Sequence, residues 1–70
     1  MITLIRHSNI NDNILQVSTH MSADGLEAYY QRYTVLEDGA TALEYEALFS
    51  CEEYAIEFYN QEVYRHSRGI

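Results

Sequence analysis

Carboxylates are the most numerous side chains in this sequence that could take part in chemistry, and several recur at short spacings. Residues 37–53, EDGATALEYEALFSCEE, contain six acidic residues and no basic one. Paired carboxylates act as general acid and base when burial in a cleft raises the pKa of one member. Glu44 and Glu46 are instead predicted on the polar side of a strand, and Glu53 and Glu57 on the polar side of a helix. This pattern favours solvated acidic surfaces over a catalytic pair.

Other reactive residue types do not form a recognised site. The candidate soft metal ligands are His7, His20, His66 and Cys51. None has a spacing typical of metal sites, such as C-x2-C or H-x3-H. Ser50 is predicted to cap a helix, and two glutamates follow Cys51 and oppose ionisation of its thiol. The glycines are isolated, so no glycine-rich phosphate loop is present. We predict no catalytic residue, no metal site, no cofactor and no enzymatic activity.

The charge balance limits the partners that the chain can have. The sequence has eleven acids, four arginines and no lysine, for a formal net charge of −7. Ten of the acids lie between Asp24 and Glu62, where Arg32 is the only base, so this segment alone carries −9. Such a chain repels nucleic acid and anionic membranes and is attracted to a basic surface on another protein.

Tyrosine is the second unusual feature, with seven in 70 residues. Tyr29 and Tyr30 are adjacent and, in a strand, point to opposite faces, so they cannot both be core. Exposed tyrosines beside acids can meet arginine and lysine through ion pairs and cation–π contacts. The alternative is that the tyrosines fill the space between sheet and helix. The predicted partner-binding residues are Glu37, Asp38, Glu44, Glu46, Glu53, Glu57 and Tyr64.

The elements that position these side chains follow from periodicity and turn chemistry. The predicted strands are residues 1–7, 14–21, 26–37 and 40–49. Asn, Asp, Ser and Gly predict turns at SNINDN, SADG and DG between them. Residues 22–33 and 40–49 also contain good helix formers, and the turn signals favour strands for both.

A helix is predicted from about Cys51 to about His66. Ser50 followed by Glu53 matches a capping box. The apolar side of this helix, Cys51, Ala55, Phe58 and Tyr59, is expected to face Leu15, Val17, Leu43, Tyr45 and Phe49.

The predicted fold is a single α+β domain over residues 1–70, with an antiparallel meander of three or four strands and the C-terminal helix packed on one face. Glu44 and Glu46 then lie on the open face of the sheet, which is the better candidate for a partner.

Composition also bears on the compartment. A single cysteine excludes a disulfide within the chain, and no stretch approaches the roughly 18 apolar residues of a membrane span. The opening segment, MITLIRHSNIND, lacks the apolar region and cleavage site of a signal peptide. These features favour the reducing cytoplasm.

An acidic set of short strands followed by the helix SCEEYAIEFYNQEVY, in a chain of this length, resembles the small phage-encoded inhibitors of host defence, the anti-CRISPR proteins. The resemblance covers length, charge and architecture and includes no shared motif, so no family site transfers to a residue here. It implies a protein in the host cytoplasm that blocks a nucleic-acid-handling complex by occupying its basic groove.

The residues themselves favour a basic surface of another protein as the partner, and with the resemblance they predict a non-enzymatic protein-binding inhibitor. Alternate strand residues lie about 6.8 Å apart. This is close to the separation of neighbouring phosphates, on the order of 7 Å, so the acids could act as a DNA mimic. The alternative is a small homo-oligomeric structural or adaptor protein, such as a dimer, with a tyrosine-rich self-interface.

Overall fold

A computed structural model describes residues 2–68 of the chain. Its elements are β1 (Ile2–Ile10), β2 (Asn13–Ser22), β3 (Gly25–Val35), β4 (Thr41–Phe49) and α1 (Glu52–Ser67). The strands form one antiparallel sheet in the order β1-β2-β3-β4, with each strand beside its neighbour in sequence. The predicted α+β fold is confirmed, with four strands rather than three. Met1, which the first predicted strand included, lies outside the described residues.

Tight turns connect the strands. Asn11 and Asp12 both have positive φ, as the central residues of a two-residue hairpin turn require. This turn is shorter than the predicted one, because β1 and β2 continue almost to the reversal of the chain. At the β3–β4 turn, the Asp38 carboxylate accepts a hydrogen bond from the Ala40 backbone N–H at 3.0 Å, and Gly39 has positive φ. The position of the turn at Asp38–Gly39 was therefore correctly predicted, but the connection is longer than predicted, because β3 ends at Val35 and β4 begins at Thr41.

The core lies between α1 and one face of the sheet, which we call the helix-covered face. Its buried members are Leu15, Val17, Ala28, Tyr30, Ala55 and Tyr59. The Phe58 ring meets the Tyr30 ring edge-on, with centroids 5.0 Å apart. The Tyr59 hydroxyl hydrogen-bonds the Ser8 hydroxyl and so ties α1 to β1. The predicted packing of the helix against β2 is confirmed.

A bulge in β4 removes Leu43 from the predicted core. Arg32 pairs with Tyr45, but the next residue of β3, Tyr33, pairs with Leu43, so Glu44 is an extra residue in β4. The bulge reverses the alternation of side chains beyond it. Leu43 therefore shares a face with Tyr33, away from the helix, and is 53% exposed. The prediction that Leu43 packs against the helix is wrong, because it assumed unbroken alternation along the strand.

The helix begins one residue later than the capping-box prediction required. Its N-cap is Cys51, which is extended and makes no side-chain capping hydrogen bond. Ser50 lies before the cap position, so the predicted box between Ser50 and Glu53 is wrong. The first turn is instead favoured by Glu52 and Glu53, whose charges complement the positive end of the helix dipole.

Tyr30 carries an unusual buried hydroxyl. The residue is fully buried, and the hydroxyl has no hydrogen-bond partner among residues 2–68. Burial, followed by the nearby charge of Glu62, raises the pKa of the Tyr30 phenol above its ordinary value. A buried polar group without a partner lowers stability by about 1–3 kcal/mol.

Tyr30→Phe is expected to raise the free energy of unfolding at neutral pH by about 1 kcal/mol, because it removes the unpaired hydroxyl and keeps the ring. Since the folded-state pKa is raised, the unfolded chain loses this proton first. The effect of the Tyr30 phenol on the free energy of unfolding is therefore constant below about pH 10, and above that pH the phenol destabilises the fold progressively. Urea unfolding of both proteins at neutral and alkaline pH measures these effects. An equal alkaline loss of stability in the two proteins would contradict the assignment to Tyr30.

Candidate functional site

The face of the sheet opposite α1, which we call the open face, has no described element packed on it. The strand register arranges its side chains in rows that cross the sheet. The rows are Ile2–His20–Glu27, Leu4–Ser18–Tyr29–Leu48, His7–Gln16–Gln31–Glu46 and Asn9–Ile14–Tyr33–Leu43. Apart from Ile14 on β2, the two central strands present polar side chains and tyrosines on this face, and the other aliphatic side chains lie on the outer strands β1 and β4.

A hydrogen-bonded ladder holds the carboxylate of Glu46 in place. Gln16 Nε2 donates to Gln31 Oε1 at 2.8 Å, and Gln31 Nε2 donates to Glu46 Oε2 at 2.7 Å. An ionised carboxylate only accepts hydrogen bonds, so Glu46 determines the orientation of both amides. A side chain held in this way loses less conformational freedom when it binds a partner.

A depression of about 420 Å³ lies in the middle of the open face. Its lining includes Gln16, Ser18, Tyr29, Gln31, Tyr33 and Glu46. Ser18 is the smallest of these side chains and is only 6% exposed, which places it at the floor of the depression. Its hydroxyl lies 3.5 Å from Gln31 Oε1.

Negative charge dominates the electrostatics of this site. Partial burial, followed by the carboxylates of Glu27 and Glu46, raises the pKa of the Tyr29 phenol. The phenol is therefore uncharged at neutral pH. The same two carboxylates stabilise any cation that approaches. His20 Nδ1 lies 3.8 Å from Glu27 Oε1, and both side chains are more than a third exposed.

Arg32, the one arginine within the acidic segment, belongs to a cluster of charged side chains around Glu62. The Glu62 side chain is 6% exposed and lies 2.6 Å from Arg65, 3.5 Å from Arg32 and 4.0 Å from His66. The Arg32 guanidinium also lies 5.8 Å from the centroid of the Tyr45 ring. Arg32 is thus engaged on the helix-covered face, where it does not offset the exposed acids. Sequence reasoning counted Glu62 among the acids but did not predict its burial.

None of the four arginines belongs to the open face. Arg32 lies on the helix-covered face, as does Arg6, which pairs with the core residue Val17. Arg65 and Arg68 are on α1 or directly after it. The basic side chains of the open face are the histidines His7 and His20. Its carboxylates therefore face solvent without an arginine partner.

The predicted partner-binding residues occupy separate places. Glu46 is on the open face, Glu44 is in the β4 bulge, Glu37 and Asp38 are exposed in the β3–β4 turn, and Glu53, Glu57 and Tyr64 are exposed on the outer side of α1. The structure does not bring them together into one surface. The open face and the outer side of α1 are two acidic surfaces on opposite sides of the domain, and whether either binds a partner stays a prediction.

Sequence reasoning missed part of the open face. Tyr29, Gln31 and Tyr33 alternate along β3, which is a detectable signal for one face of a strand. Their neighbours across the sheet depend on register, however. The ladder joins residues fifteen positions apart on successive strands, and no local pattern in the sequence indicates those pairs.

Comparison of the chain with known protein families, curated proteins and solved structures gives no match. Within residues 2–68, no helix is long and apolar enough to cross a membrane. In the same part of the chain, no three His, Cys, Asp or Glu side chains lie close enough together to hold a metal ion.

Proposed function

We propose that the open face binds a basic surface of a nucleic-acid-binding protein and, without catalysis, inhibits that protein by occupying the surface. The proposal rests on the arrangement of charged and aromatic side chains on the open face. It presents the Glu46 carboxylate, fixed by the glutamine ladder and accompanied by Tyr29 and Tyr33, on a face without arginine.

The overall charge supports the same partner. The chain has a formal net charge of −7, and Arg32, the one arginine of the acidic segment, pairs with Glu62. The exposed acids are thus left to attract a positively charged surface over several ångströms of solvent. Such attraction accelerates association and disfavours nucleic acid as a direct partner.

The open face suits a protein partner better than the outer side of α1. It combines charge with exposed apolar area, including Leu48, which is 59% exposed, and Leu4. Protein interfaces combine apolar and aromatic contact with polar groups in this way. On the outer side of α1, Tyr64 is already covered in part by Arg68, whose guanidinium lies 5.3 Å from the ring centroid.

The setting in which this function would act is the cytoplasm, where the single free thiol of Cys51 stays reduced. Inhibition of a host defence complex by a phage-encoded protein is the specific form that the resemblance to anti-CRISPR proteins implies. The basic groove of such a complex has the charge that the open face requires.

Two matched charge reversals test the proposal. Glu46→Lys is expected to weaken partner binding by roughly tenfold or more, because it places a cation against a basic surface. Glu57→Lys, on the outer side of α1, should change affinity by less than about threefold and also relieves the repulsion between Glu53 and Glu57. Circular dichroism of both variants checks that the fold is intact.

The measurement uses a partner captured from cell lysate and then purified. Wild-type protein should displace labelled nucleic acid from it, and the binding should weaken steeply with salt. Equal losses of binding in Glu46→Lys and Glu57→Lys would show that the open face is not the interface. A captured protein that keeps its nucleic acid when saturated would contradict inhibition by occupancy.

A second candidate function is self-association into a small structural oligomer. It is favoured by the exposed Ile2, Leu4 and Leu48 on the open face and by the outer edges of β1 and β4, the two end strands of the sheet. Light scattering at about 0.1 M and about 1 M salt separates the candidates, since the Debye length falls from about 10 Å to about 3 Å. A dimer that persists at both concentrations supports self-association.

A further inference from the structure

The open-face depression has a specific pattern of hydrogen-bonding atoms. Because Gln31 must turn its amide N–H toward Glu46, its Oε1 accepts from Gln16, and Gln16 Oε1 is left without a partner in the ladder. The second carboxylate oxygen of Glu46 likewise has no ladder partner. Oxygens with free lone pairs thus occupy both ends of the ladder that lines the depression.

The floor of the depression adds a third oxygen. The hydroxyl of Ser18 has only a long contact of 3.5 Å, to Gln31 Oε1, which already accepts the shorter bond from Gln16. Ser18 is more than nine-tenths buried, and its lone pairs have no described donor. A group that enters the depression and carries several N–H donors would satisfy these oxygens at once.

Ile2 and His20 also line the depression, at its end nearest β1, and the His20 imidazole lies 3.8 Å from the Glu27 carboxylate rather than beside Glu46. The tyrosine walls favour a flat cation. Tyr29 and Tyr33 stand on either side of Gln31 along β3, each about 6.8 Å away by strand geometry. Their rings can cover a planar charged group through cation–π contact. A volume of 420 Å³ falls within the roughly 300–1,000 Å³ of clefts that hold small ligands.

We propose that the open-face depression receives one arginine side chain of the partner protein, with its guanidinium bonded to Glu46 and Ser18 and stacked on a tyrosine. This inference rests on the proposed function and specifies how the open face recognises a basic surface. Arginine fits better than lysine, because the guanidinium is planar, carries five donors in a fork and stacks on aromatic rings.

Other occupants fit less well. A phosphate group would lie against the Glu46 carboxylate and be repelled. An apolar side chain would take Glu46 and Ser18 out of water without supplying hydrogen-bond donors, which is unfavourable. Charge and hydrogen-bonding capacity therefore both favour a guanidinium.

The test is an NMR titration of the 15N-labelled full chain with N-acetyl-arginine methylamide, and with the lysine and citrulline analogues. The arginine compound should shift the amide resonances of Gln16, Ser18 and Gln31 with an affinity in the millimolar range, as expected for a single side chain. Citrulline has almost the same shape and no charge, so it should bind at least about tenfold more weakly. Lysine should lie between the two.

Two variants extend the test. Glu46→Gln keeps an oxygen for Gln31 and removes the charge, so arginine binding should fall by about tenfold. Glu57→Gln on α1 should leave it unchanged. Equal shifts from the arginine and citrulline compounds, or shifts confined to the outer side of α1, would overturn the proposal. Because these two compounds are compared on the wild-type protein, this outcome can be read even if Glu46→Gln does not fold. If the purified partner still binds in a Glu46-dependent, salt-sensitive way without any arginine-probe shift, the depression is wrong and the proposed function stands.

Discussion

Leu15→Ala is expected to lower the free energy of unfolding so far that a large fraction of the molecules is unfolded, whereas Leu43→Ala should leave the stability almost unchanged. Leu15 is completely buried between α1 and the sheet. Removing such a side chain costs about 2–5 kcal/mol. The total stability of a small domain is typically about 5–15 kcal/mol and tends toward the lower end for a chain of 70 residues. Leu43 is more than half exposed on the open face, so its truncation should cost less than about 1 kcal/mol.

Urea denaturation followed by circular dichroism compares these two leucines of one sheet. Leu15→Val and Leu43→Val provide a milder pair in case Leu15→Ala does not fold. A cost at Leu43 equal to that at Leu15 would place Leu43 in the core. It would then contradict the bulge at Glu44 that turns Leu43 away from the helix.

Glu62→Gln should have the second large effect, a loss of about 2–4 kcal/mol in the free energy of unfolding. The substitution keeps the size of the side chain but removes the one carboxylate within residues 2–68 that pairs with the guanidinium of Arg32. The Arg32 side chain is 28% exposed, so its charge would be left partly buried, with the Tyr45 ring but no carboxylate beside it. The expected loss is below the upper end for buried pairs because Arg65 is mostly exposed and can be solvated.

Glu57→Gln is the matched control on the same helix. Glu57 is exposed and lies one turn after Glu53, so neutralising it should be neutral or stabilise the helix by a few tenths of a kcal/mol. A double-mutant cycle with Arg32→Met then measures the coupling between Arg32 and Glu62. Additive effects in that cycle, or equal results for Glu62→Gln and Glu57→Gln, would show that Glu62 is not a buried partner of Arg32.

The Glu62 cluster also bears on the proposed function. The helix-covered face uses Arg32 to compensate a buried acid, so the charge of the acidic segment that remains at the surface has no arginine beside it on the open face. Loss of Glu62 would free Arg32 as well as weaken the fold. The free energy of unfolding of each Glu62 variant must therefore be measured before a change in its binding is attributed to the freed Arg32.

The sequence by itself determined the order and type of the elements. Alternation over residues 14–21 and the Asp38–Gly39 turn act between near neighbours, and so does the helical spacing of Ala55 and Tyr59. Such local signals were sufficient to predict three or four strands, the C-terminal helix and the face that α1 covers. They also predicted that Glu46 points away from the helix. The exposure of Glu53, Glu57 and Tyr64 follows from the same helical periodicity.

Only the tertiary structure decided where these elements depart from their local patterns. The bulge at Glu44 arises from the pairing of β3 with β4, and it moves Leu43 from the helix-covered face to the open face. The burial of Glu62 depends on Arg32, thirty residues earlier in the chain. The ladder from Gln16 to Glu46 requires the register of three strands at once. Contacts between distant residues are set by how whole elements pack, so neither the bulge, nor the buried acid, nor the depression has a local signature in the sequence.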